Sequence, residues 1–96
     1  MPLFLIRRDL GQVSKEDVDA ASIRALSCVF NYEGMRWVTS YWDQPGGKVF
    51  CVYEARDAQQ IVDHSAQSRI PCDEITNVQQ VDPAEYVIGT PTGTTS

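Results

Sequence analysis

The stretch "MRWVTSYWDQPGGKVFCVYEA", Met35 to Ala55, holds two runs rich in β-branched and aromatic residues on either side of a turn. Met35 to Trp42 reads as one strand and Lys48 to Ala55 as the next, because such side chains suit a pleated, half-buried surface. Asp43-Gln44-Pro45-Gly46-Gly47 between them has the residues that favour turns. The pair is therefore a β-hairpin. The segments on either side of the hairpin decide the fold.

Upstream lies a helix. Ser14 is a good N-cap, and Asp17 stands three residues on at the capping-box position, where Glu or Gln is more usual. Val18, Ala21, Ala25, Cys28 and Val29 follow at spacings that lay one stripe against a core, and Gly34 is expected to end the helix in the left-handed conformation. Downstream, Asp57 with Gln60 forms a second capping box, and Ala58, Ile61, Val62 and Ser65 make an inward face. Pro71 stops that helix, since the residue before a proline avoids the helical region. Leu3 to Arg8 is a first strand with apolar residues on both faces, and Glu74 to Val81 is a weaker fourth. The order β-α-β-β-α-β is the ferredoxin-like pattern, an α+β fold. It predicts an antiparallel sheet with both helices on one face. Residues 1–82 form this single domain, and 83–96, ending in "GTPTGTTS", read as a flexible tail.

Two helices cover one sheet face only. The strands carry apolar or aromatic residues on both, as in Leu3 and Phe4, Trp37 and Val38, Tyr41 and Trp42, and Cys51 and Val52. An uncovered face of that kind is a large apolar patch. Packing against a second copy would remove it, so the expected state is a homodimer, a dimeric α+β barrel whose interior could hold a pocket. A chain of 96 residues buries too little of its own surface to be more than marginally stable, and association helps it.

Composition excludes several classes. The formal net charge is −5, and the one adjacent basic pair is Arg7-Arg8, so nucleic acid and anionic membrane surfaces are not expected partners. No segment reaches the roughly 20 apolar residues of a spanning helix. "MPLFLIRRDL" does not have the order of a signal peptide, because its charges follow the apolar run, and the expected compartment is the cytoplasm. Three cysteines without CxxC spacing describe neither a disulfide framework nor a structural zinc site. There is no P-loop, dinucleotide fingerprint or catalytic triad, so no organic cofactor is expected and no catalytic residue is assigned.

The residues able to carry chemistry are few. His64, the lone histidine, lies near the end of the second helix, where the dipole favours a cation. Asp63 beside it points elsewhere on the helix, so a partner must come from another element, and Cys51 is the first candidate. A thiolate and an imidazole suit a late divalent ion such as nickel, copper or zinc, and Glu54 would be a weaker third ligand. Cys51 and Tyr53 share one strand face with Val49 and Ala55, while Phe50, Val52 and Glu54 share the other. Period two does not say which face meets the helices. On the helix side Cys51 is a core residue; on the other it points into the barrel interior. Arg7, Trp37, Tyr41 and Tyr53 are the candidate walls of a small-molecule pocket there. Cys28 reads as core and Cys72, after Pro71, as core or exposed thiol.

Several motifs also resemble a family: Arg7-Arg8-Asp9 in the first strand, Trp37 with Ser40-Tyr41 in the second, Cys51-Val52-Tyr53 with Ala55 in the third, then Ile61 with His64, Pro71, and Ile75 with Val78. Over about residues 2 to 82 the chain is similar to the bacterial family of small nickel-binding-protein-like domains, formerly of unknown function. The resemblance implies a ferredoxin-like dimeric barrel and nickel as ligand. The sequence departs from the family at Arg7, where a Glu is common, and at Ser68-Arg69-Ile70-Pro71, where a Gly pair is common. Two readings follow: a homodimeric binding protein for a soft divalent metal such as nickel, or a dimeric barrel binding a small molecule through Tyr53, His64 and Arg7, with cofactor-free enzymes of the monooxygenase or isomerase kind as fold analogues. A plain interaction module is the third.

Overall fold

The computed structural model of the chain describes residues 1–86. Four strands and two helices follow in the order β1 (Leu3–Asp9), α1 (Lys15–Val29), β2 (Arg36–Asp43), β3 (Lys48–Glu54), α2 (Ala58–Ser68) and β4 (Glu74–Val78), with a 3-10 turn at Pro83–Tyr86. Every strand pairing is antiparallel, and the sheet order is β2-β3-β1-β4. This is the ferredoxin-like arrangement expected from the element order. The fourth strand ends at Val78, short of Val81. Residues 87–96 of the expected tail lie outside the described residues.

The helix boundaries follow from their caps. Ser14 accepts from the backbone N–H of Asp17 at 3.1 Å, and the Asp17 carboxylate accepts from the N–H of Ser14 at 3.1 Å, so the capping box closes with Asp in the Glu position. At α2, Asp57 accepts from the N–H of Gln60, while the Gln60 side chain reaches past the cap to the N–H of Arg56. The second box is thus displaced by one residue. The expected stops differ as well. α1 ends at Val29 with Phe30 still in the right-handed region, and Gly34, at φ 80°, belongs to the turn that follows. α2 is closed by Arg69 in the left-handed conformation, φ 60°, ahead of Pro71.

β1 and β3 set the core. Phe4, Ile6 and Arg8 point toward the helices, as do Val49, Cys51 and Tyr53, and these positions are buried in alternation with half-exposed neighbours. Val29, Met35, Ala55 and Ile61 complete the core cluster. Ile61 has no solvent exposure, and burying such a side chain is worth roughly 1.5–3 kcal/mol.

β2 carries an irregularity that changes its faces. Trp37 is paired with Tyr53, but Thr39 with Val52, so the register slips by one residue at Val38. A bulge inverts the alternation beyond it. Trp37 before the bulge and Ser40 and Trp42 after it therefore all face the helices, and the indole Nε1–H of Trp37 donates to Ser40 Oγ at 2.8 Å across the bulge. The uncovered face keeps Tyr41, 65% exposed, and Val38, with Leu3, Leu5, Phe50, Val52 and Val78. Its rim is charged: Arg36 holds Glu54 through two contacts of 3.0 and 3.1 Å, and Arg7 bridges Asp9 at 3.0 Å and Glu74 at 2.7 Å.

Gly47 locks the hairpin to the β1–α1 connector. Its carbonyl accepts from the N–H groups of Leu10 and Gly11 at 2.8 and 3.0 Å. Its φ is 69°, and a Cβ there would meet the Gly11 backbone at 2.8 Å, so only glycine fits.

Candidate functional site

Between α1 and the sheet lies a cavity of about 220 Å³. α1 offers it small side chains, Ala21, Ser22 and Ala25 with Val18, while the sheet offers Trp37, Trp42, Val49, Cys51 and Tyr53. The small residues leave the space, and the aromatic ones wall it. Leu10, Val18, Ala21 and Ser22 are only half-buried, so the cavity opens to solvent at the α1 side.

Arg8 is the charged residue in the lining. It is 3% exposed. Its Nη1 donates to Ser65 Oγ at 2.8 Å and to the Pro71 carbonyl at 2.7 Å, and its Nε donates to Cys51 Sγ at 3.4 Å. Its Nη2 is buried and has no acceptor among the described residues. The ring of Tyr53 lies 5.8 Å from the guanidinium carbon. Among the described residues no carboxylate pairs with it, although buried charges are ordinarily paired. Trp42 repeats the pattern, since its Nε1–H is buried and unpartnered in the same lining. Burial raises the pKa of the Tyr53 phenol far above its ordinary value, against the opposing pull of Arg8, so the side chain is a neutral hydroxyl.

His64 lies deeper, with no exposure. Its Nε2 lies 2.8 Å from the Ala25 carbonyl, a contact that requires the proton on Nε2. Nδ1 is then the lone-pair nitrogen, and it is buried without a partner. The ring sits between Tyr53, 5.2 Å away between centroids, and Tyr32 at 5.9 Å, and Tyr53 stacks in turn on Trp37 at 6.0 Å with planes 4° apart. Burial lowers the His64 pKa, partly offset by the bond to Ala25, and Arg8 lowers it further.

The expected residues are thus distributed over two faces. Cys51 is on the helix side and buried, and Glu54 is on the open side in its ion pair with Arg36, which pulls its pKa down. The two share a strand but not a site. Cys51 is held by a guanidinium, which repels a second cation at that sulfur. His64 offers one free nitrogen. Among the described residues, no three His, Cys, Asp or Glu side chains are grouped so as to hold a metal ion. Within one chain these residues do not fit nickel. The pocket set also divides: Trp37 and Tyr53 line the cavity, whereas Tyr41 is on the open face, as is Arg7 by its alternation with buried Arg8. The arginine of this cavity is Arg8, and this cavity lies inside the single chain, between helix and sheet. Arg8 shares the phase of Phe4 and Ile6 along β1, a signal present in the sequence. It was ambiguous because Leu3 and Leu5 make the other face equally apolar. Trp42 shares the cavity with Trp37 only because of the bulge.

Among known proteins, residues 4–78 match the model of a family described as nickel responsive protein SCO4226-like. The fold is similar to the crystal structure of SCO4226 from Streptomyces coelicolor A3(2), with a TM-score of 0.74 over 83% of this chain and 99% of that one, at 17% sequence identity. No curated protein matches the sequence.

Proposed function

The chain belongs to the family of SCO4226-like nickel-responsive proteins, and on that premise we propose that it is a small homodimeric binding protein whose ligand is a small molecule held between α1 and the sheet. The carrying observation is Arg8, a buried guanidinium that, among the described residues, has no carboxylate partner and lines a largely apolar cavity. A fold spends stability to keep such a group, and retained strain of this kind is found at functional sites. Pairing of two copies through the open face would remove Tyr41, Val38 and their apolar neighbours from water. Native mass spectrometry of the protein as isolated tests the ligand. A low-mass adduct is expected on the wild type and not on Ala21→Phe, which fills the cavity. A wild type without adduct, together with a melting temperature that no cavity-sized additive raises, would end this reading.

The second reading is the binding of nickel or another divalent transition metal. It is supported by the family description. With no three-ligand group among the described residues of one chain, such an ion would draw ligands from two copies, so this reading requires the dimer.

A further inference from the structure

We infer that the cavity under α1 is a recognition site for a small carboxylate with a compact apolar body, such as a single ring. The inference rests on the small-molecule reading and adds the chemistry of the ligand. Among the described residues, two side chains in the lining end in buried N–H groups with nothing to donate to, Arg8 at Nη2 and Trp42 at Nε1. Arg8 is fixed by its other contacts, to Ser65, Pro71 and Cys51, so the unpaired end is held in place before any ligand arrives. What is missing is an acceptor with negative charge. An ionised carboxylate is acceptor-only and can take more than one N–H, and arginine is the side chain best matched to it.

The rest of the lining sets the ligand's body. Trp37, Trp42, Tyr53, Val49 and Ala25 offer apolar surface, which disfavours a strongly hydrated anion such as inorganic phosphate. The volume of about 220 Å³ is below that of ordinary drug-sized sites. A cavity of roughly 150 Å³ accommodates benzene, so one ring with a short acid arm is the matching size.

The test is calorimetric titration of the full chain with phenylacetate, phenylacetamide and inorganic phosphate. Phenylacetate should bind, and the neutral amide of the same shape should bind at least about tenfold more weakly, as should phosphate. Arg8→Met should abolish the preference for the acid over the amide. Trp42→Phe, which keeps an aromatic wall and removes one N–H, should weaken the acid more than the amide, so the result does not depend on one variant folding. Equal binding of acid and amide would overturn carboxylate recognition and leave the cavity reading standing. Binding of phosphate as tight as phenylacetate would overturn the apolar body. No heat with any probe, on protein unfolded and refolded until the adduct seen by native mass spectrometry is gone, would overturn the ligand class and leave the cavity reading to the adduct itself. Binding by Cys51→Ser but not by the wild type would assign the counter-charge to the Cys51 thiolate and overturn the inference.

Discussion

The Nε–H of Arg8 donates to the sulfur of Cys51 at 3.4 Å, across the antiparallel pair of β1 and β3. Ile6 is the direct partner of Cys51 in the register and Arg8 that of Val49, so the arginine reaches the cysteine diagonally on the helix-facing side. This contact joins the cavity to the core. It also removes Cys51 from the set of free metal ligands.

A buried cation without a counter-ion costs the fold desolvation energy, but Arg8 also donates to Ser65 Oγ and the Pro71 carbonyl, which an apolar side chain would leave without a donor. Because the relieved charge and the orphaned acceptors oppose each other, Arg8→Met should lose no more than about 1–3 kcal/mol. Urea unfolding with unchanged slope is the measurement. A loss beyond about 3 kcal/mol would mean that the charge is compensated inside the protein and that Arg8 is a structural residue.

His64 gives a sign for the pH dependence. Its folded pKa lies below the ordinary imidazole value because burial disfavours the charged ring. The unfolded chain then binds the extra proton first. The stability due to the neutral ring is complete above pH of about 6.5 and falls as the pH drops below it, with a slope of at most about 1.4 kcal/mol per pH unit. His64→Gln, which can still donate to the Ala25 carbonyl, should flatten that part of the curve. Unfolding curves for both proteins between about pH 7 and 5 decide the matter, and an identical slope in the variant would remove His64 as its source.

The open face should carry self-association. Val52 lies opposite Leu5 on that side, away from both helices. Val52→Glu should convert a dimer into a monomer in sedimentation velocity while the circular dichroism stays that of the wild type. A wild type that sediments as a monomer at the same concentration would exclude the sheet-to-sheet dimer.

Nickel should not depend on Cys51. Under the metal reading, an ion at a hundredfold excess over its dissociation constant stabilises by about 2.7 kcal/mol, which a thermal melt resolves. The shift should be the same for the wild type and Cys51→Ser, because the sulfur already accepts from a guanidinium. A shift abolished by Cys51→Ser would restore that sulfur as a ligand. No shift in either protein would retire the metal reading.

The succession of amino acids alone dictates the order of elements and therefore the fold. The hairpin at Met35 to Ala55 is specified by its turn, and the helix starts by Ser14 and Asp57, because capping and turn formation involve residues a few positions apart. It also determined that Cys51 and Tyr53 share a face and that Glu54 does not, since period two is a property of any strand. Which face meets the helices is settled by packing. Leu3 and Leu5 are as apolar as Phe4 and Ile6, so hydrophobic patterning carried no preference between Arg7 and Arg8. The slip at Val38 then turned Trp37 and Trp42, five residues apart and so on opposite faces of a regular strand, to the same side. The cavity arises from that slip together with the small residues of α1, and its charge comes from a β1 side chain whose orientation is fixed by contacts more than forty residues away in the chain. Local chemistry writes the elements, whereas a site built from four of them exists only once packing has chosen their faces.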